Sequence, residues 1–181
     1  IVINPSDVPT SGKERENKND GCDSRKLARE LENGSLEPIY IPEPENLILR
    51  NLKRREDQIV QNLARVKNRI KSHLLFAGIK FISWAGGSLK TLEENARKRN
   101  DYALLSMLRE LRFLRTERLQ VIRDERACLK LLNREKIQEN IQSVSGIGFR
   151  TSVALQAELW DMGRFKTSDH LNSYVGLAPH A

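Results

Sequence analysis

The stretch Leu52-Lys53-Arg54-Arg55-Glu56-Asp57-Gln58-Ile59-Val60-Gln61-Asn62-Leu63-Ala64-Arg65-Val66-Lys67-Asn68-Arg69-Ile70-Lys71-Ser72-His73-Leu74 decides the fold class of this chain. Leu52, Ile59, Leu63, Val66, Ile70 and Leu74 recur at intervals of seven, four, three, four and four. That is close to the heptad spacing that lines one face of a long helix. The spacing predicts a helix over 45–78, stopped at Gly78, with Arg65, Lys67, Arg69 and Lys71 set between the apolar positions. A second long helix is expected from Asp101 to Leu132, on Leu104, Leu108, Leu111, Leu114, Ile122 and Leu129, with a shorter one near 88–98 between them. No proline falls between Pro44 and Pro179, so nothing interrupts these helices. The protein is therefore expected to be mostly α. The two stripes can pack on each other within one chain or serve two chains. Their narrowness and the length of the arms favour a homo-oligomer, a dimer or tetramer.

The charge is distributed unevenly. Residues 1–44 carry a net −3, residues 45–135 carry +10, and residues 136–181 carry none, which accounts for the +7 of the whole chain. A basic block of this kind is an electrostatic footprint for a polyanion, with a merely solvated helical face as the plainer alternative. Aromatic residues make up only 6% of the 181 residues, so base stacking is not the expected mode of contact. No apolar run approaches the roughly 18 residues of a membrane span, and Ile1-Val2-Ile3 lacks the features of a signal peptide. Cys22 and Cys128 are the only cysteines, without metal-type spacing, which argues against a disulfide framework or a zinc site. A cytosolic, reduced protein is expected.

Outward from the arm, residues 1–44 have another character. Ile1 to Ile3 resembles the end of a strand, and Asn4-Pro5-Ser6 is a turn signal. Residues 24–31 are helical in pattern, stopped by Asn33-Gly34, and Pro38-Ile39-Tyr40-Ile41-Pro42 is a short extended piece. Strand, loop, helix and strand in that order suggest the tail of an α/β domain whose beginning precedes Ile1. Within it, Asp20 and Asp23 stand three residues apart at a loop-to-helix junction. On a helix that spacing places both carboxylates on one face, where two hard oxygen donors suit Mg²⁺. Acidic residues at a helix start are also ordinary caps and dipole partners. Beyond the arm, a helix over Ile137–Val144, then Ser145-Gly146-Ile147-Gly148, then a helix from Arg150 to Trp160 has the shape of a helix-hairpin-helix. Backbone amides at such a glycine turn can face a phosphate.

Several segments together resemble the IS-one-ten family of insertion-sequence transposases. They are Asn4-Pro5-Ser6-Asp7-Val8-Pro9, Lys18 to Ala28 around Asp20 and Asp23, Ile39-Tyr40-Ile41-Pro42, and Leu63 to Lys71 in the arm. Ser145-Gly146-Ile147-Gly148, Ala157-Glu158-Leu159, Arg164-Phe165 and Tyr174-Val175-Gly176-Leu177-Ala178-Pro179 complete the set, in order along the whole chain. The resemblance implies a prokaryotic, nucleoid-associated enzyme of a mobile genetic element that cuts and rejoins DNA. It implies three parts: residues 1–44 as the end of a RuvC-like nuclease domain, residues 45–135 as a basic coiled-coil arm, and residues 136–181 as the start of a serine-bearing C-terminal domain.

By the same resemblance, Asp20 and Asp23 are the last two of four Mg²⁺-binding catalytic acids. The first two precede Ile1 and the serine nucleophile follows Ala181, so these 181 residues alone are expected to be inactive in strand transfer. Arg65, Lys67, Arg69, Lys71, Ser145, Gly146 and Gly148 are the candidate contacts to DNA and to a structured guide RNA. Attack by the serine would give a covalent intermediate that conserves bond energy for rejoining. Two other classes remain open on the residues alone: a non-catalytic helical nucleic-acid-binding protein, and a coiled-coil dimeriser.

Overall fold

The computed structural model describes residues 1–10 and 19–177. Among them the α-helices are α1 (Asp20–Glu32), α2 (Pro44–Phe76), α3 (Gly86–Lys98), α4 (Tyr102–Leu131), α5 (Glu135–Gln142), α6 (Phe149–Leu159) and α7 (Ser168–Val175). The chain divides into two compact units, Ile1–Glu43 and Pro44–Ala181.

In the first unit a 3-10 turn at Pro5–Asp7 is capped by the Asn4 side chain, which accepts from the Ser6 amide. Residues 20–32 wind into α1 four positions earlier than the apolar pattern suggests. The cause is Asn19, whose side-chain oxygen accepts from the Cys22 amide at 2.8 Å and opens the helix there. Gly34 at φ +67° follows the helix end in the left-handed conformation that suits glycine. The strands expected at Ile1–Ile3 and 38–42 do not form among the described residues. The Ile39 amide donates to the Val2 carbonyl at 2.9 Å, a single bond where a ladder needs a series. Ile1 and Ile41 are exposed.

In the second unit α2 starts at Pro44, whose fixed φ and missing N–H suit the first helical position. It runs for 33 residues, and α4 returns beside it for 30. The pairs His73–Asp101, Arg69–Glu110 and Glu56–Arg118 show the two helices to be antiparallel. Ile59, Leu63, Val66, Ile70 and Leu74 interleave with Leu104, Leu108, Leu111, Leu114 and Val121. Each such buried side chain contributes about 1.5–3 kcal/mol relative to exposure. α3 covers one side of this seam with Leu89 and Ala96.

Two positions differ from the sequence pattern. Val121, not Ile122, faces the seam, and Leu49 is fully buried where Leu52 is only half-buried. Both long stripes meet each other inside one chain, so association with a second copy would need other surfaces than these seams.

The base of the arm carries a second core of Leu49, Cys128, Leu129, Val153 and Ala157, which joins α6 to the long helices. α5 and α6 form a helical hairpin held by buried polar contacts: the Gln138 amide donates to Ser152 Oγ, and the Gln156 amide donates to Gln138 Oε1. Among the described residues no helix is long and apolar enough to cross a membrane.

Candidate functional site

Asp20 and Asp23 lie in the first turn of α1. Since Asn19 performs the capping, neither aspartate serves as the cap. Asp20 is exposed and Asp23 half-buried, and among the described residues no side chain pairs with either carboxylate. What remains is two carboxylates at the positive end of a helix dipole. No group of three or more metal-ligating side chains occurs among the described residues.

The four arm cations are not gathered into one patch. At 100° per residue, Arg65 and Arg69 fall on one flank of α2 and Lys67 and Lys71 on the other, with the buried stripe between them. Arg69 Nη2 donates to Glu110 Oε1 at 2.9 Å across the pair of long helices, and Arg65 donates to Asn62 on its own helix at 3.2 Å. Lys67 Nζ lies 5.6 Å from the ring centre of Trp84, and Lys71 Nζ lies 5.7 Å from that of Phe81.

Ser145, Gly146 and Gly148 lie in the exposed turn between α5 and α6. The two glycines differ. Gly146 has φ +88°, a conformation that L side chains rarely adopt, whereas Gly148 is extended at φ −87° and ψ 177°. A Cβ at either position would meet nothing within 4 Å, so only Gly146 is required by the backbone. No side chain caps α6, so its first amides have no side-chain acceptor.

The joint between arm and hairpin is a buried ion cluster that composition gives no reason to expect. Glu56, fully buried, accepts from Arg118 Nε at 2.9 Å, from Arg150 Nη2 at 2.9 Å and from Lys53 Nζ at 3.2 Å. Burial alone would raise its carboxyl, but the hydrogen bonds from Arg150, Arg118 and Lys53 outweigh that and hold it below the ordinary glutamate value. Glu125 stands in the same cluster, equally buried, with neither side-chain oxygen hydrogen-bonded. Burial, reinforced by repulsion from Glu56, pushes it up to about 7. On the far side of the joint the buried Asn46 amide donates to the Ala157 carbonyl at 2.8 Å, and Arg50 Nε donates to Glu158 at 2.8 Å.

Among the described residues the histidines form no cluster. His73 Nε2 meets Asp101 Oδ2 at 2.7 Å, while the other Asp101 oxygen accepts from the Leu104 amide and opens α4. His73 and that amide hold Asp101 below its ordinary value. His170 is exposed, and His180 lies outside the described residues.

The C-terminal segments that carry the resemblance come together in space. The Arg164 guanidinium sits 4.4 Å from the ring centres of both Phe165 and Tyr174, and the Tyr174 hydroxyl donates to the Glu158 carbonyl at 3.2 Å. Ala178 and Pro179 of the last segment lie outside the described residues.

Comparison with known families agrees with this picture. Residues 138–181, which include the hairpin turn and the Arg164 stack, match the model of the transposase IS116/IS110/IS902 family. Residues 1–78, which include Asp20, Asp23 and the whole of α2, match the IS110 DEDD transposase model. Neither the curated proteins nor the solved structures searched contain a match. With both ends of the chain matched in the proper order, the protein belongs to the IS110 family of transposases.

Proposed function

We propose that the chain is part of a transposase that cuts and rejoins DNA, with Asp20 and Asp23 as two Mg²⁺-binding carboxylates and the arm as a holder of nucleic acid. The observation that carries this is the first turn of α1. With Asn19 as the cap, the two aspartates of the first turn are not needed for capping, carry no side-chain partner among the described residues, and are at least partly reachable by solvent. Their chemistry fits the ion: two hard oxygen donors suffice where Mg²⁺ keeps several waters. Bound there, it would polarise a scissile phosphate and neutralise developing charge. The aspartates hold and orient, and Arg65, Lys67, Arg69 and Lys71 attract the nucleic-acid backbone from the two flanks of α2. The amides of Ser145–Gly148 face a phosphate, with Gly146 setting the turn.

To the same proposal belong a serine nucleophile outside these residues, a RuvC-like setting for α1, a guide RNA, and a homo-oligomeric assembly acting in the prokaryotic cytoplasm. Family membership supports the transposition chemistry, and the net +10 of residues 45–135 supports the arm's role.

The test of the metal site uses Mn²⁺ as a paramagnetic probe on the ¹⁵N-labelled chain. The amides of residues 19–24 should broaden first, and Asp20→Asn with Asp23→Asn should abolish that selective broadening while leaving the spectrum otherwise folded. Equal broadening in the double variant would remove these two residues from the site.

A further inference from the structure

One flank of α2 carries a groove of about 290 Å³ lined by Val60, Ala64, Lys67, Lys71, Trp84 and Arg118. Its aromatic wall is Trp84, whose ring packs against that of Phe81 beyond the groove, 4.5 Å apart at 48°. Each ring has an ammonium nearby, Lys67 for Trp84 and Lys71 for Phe81. Among the described residues neither lysine has an acidic partner, whereas Arg69 on the opposite flank pairs with Glu110. Asn68 adds a side-chain amide able to donate and accept.

Building on the proposal that the arm holds nucleic acid, we infer that this groove receives an unpaired nucleotide. Its base lies against Trp84 and its flanking phosphates against Lys67 and Lys71. A duplex keeps its base faces stacked inside and cannot offer one to an indole, while a phosphate alone would gain nothing from an aromatic wall. Cations beside an aromatic ring, in a groove sized for a single small ligand, match the chemistry of single-strand binding. The low aromatic content conceals this, because two of the few rings sit together beside the lysines.

The experiment uses the full chain carrying Trp160→Phe, so that Trp84 is the only indole. Twelve-nucleotide single strands, oligo-dT and oligo-rU, are titrated in parallel with a twelve-base-pair duplex hairpin, and both fluorescence and affinity are read. Both single strands should quench Trp84, whichever of them binds more tightly, and the duplex should bind without quenching. Lys67→Gln with Lys71→Gln should weaken single-strand binding about tenfold and flatten its salt slope by about 0.7 for each phosphate left without its cation. Arg65→Gln with Arg69→Gln should affect single strands and duplex alike.

Quenching by the duplex as strong as by the single strands would overturn the inference while leaving nucleic-acid binding by the arm in place. So would undiminished single-strand affinity in the lysine variant. Failure of the chain to bind any of the three would remove both.

Discussion

The upper and lower halves of the long helix pair are built to one spacing from different materials. Towards the tip, Ile59 to Leu74 of α2 meet Leu104 to Leu114 of α4 in a dry apolar seam. Towards the base the inward face sets buried Asn46, Lys53 and Glu56 on α2 and Glu125 on α4 beside the smaller apolar core of Leu49, Cys128 and Leu129. The seam gains from removing hydrocarbon from water and tolerates small adjustments of partner. The base gains little net energy from burying charges, because desolvation offsets most of the attraction. Its arrangement nonetheless penalises any docking of α6 that leaves Glu56 without Arg150. The upper half supplies adhesion alone, and the lower half adds registration of the hairpin to its own smaller apolar core.

The largest effect that would test this division is charge in the seam. Ile59→Asp together with Val66→Asp should cost most of the roughly 5–15 kcal/mol available to a domain and abolish helical circular dichroism at 222 nm. A double variant that stays helical and melts normally would mean that the seam is not the core.

Next comes the cluster. Glu56→Ala leaves Lys53, Arg118 and Arg150 without their shared acceptor and should destabilise by about 3–5 kcal/mol in urea unfolding. A cost below about 1 kcal/mol would make the base equivalent to an exposed surface network.

The smallest effect is a slope against pH. Glu125 is raised from 4.5 to about 7 in the folded chain, so its protonated form is favoured there. Its contribution is fully present below about 4.5 and is lost as pH rises towards about 7. Glu125→Gln should flatten that decline and be the more stable protein at pH 8, by about 1–3 kcal/mol. Glu56, held low, acts in the opposite sense and loses its contribution as pH falls. Identical pH profiles for wild type and Glu125→Gln would show that Glu125 finds a partner in solution.

The seam was legible because branched aliphatic residues repeated three and four apart have little use except to line one face of a helix. The base was not, because Lys53, Glu56 and Glu125 look in a sequence like ordinary surface charge. The seven-residue step from Leu52 to Ile59 passed directly over Glu56. Between Leu114 and Leu129 the inward positions hold Arg118 and Glu125, so nothing local chose Val121 over its neighbour Ile122. Asp20 and Asp23 were singled out by spacing and resemblance, but the part played by Asn19 needed the geometry of the Cys22 amide. The Gly146-Ile147-Gly148 turn was legible as a turn, while its dependence on Gly146 alone required the backbone angles. The groove at Trp84 was not legible, since no periodicity ties a loop aromatic to lysines on a helix before it.

The 33 residues of α2 also fix a distance. At 1.5 Å per residue the helix is about 50 Å long, the length of roughly 15 base pairs at 3.4 Å each. For a duplex held along it, as proposed, the arm would be a ruler of about one and a half turns, with its scale set by a count of residues. Removing seven residues from each long helix would shorten that scale by about 10 Å, or about three base pairs, and almost restore the facing of the seam. Removing five would turn the tip by about 140° relative to the base. A spacing requirement between two nucleic-acid contacts on this arm would therefore change in heptad steps.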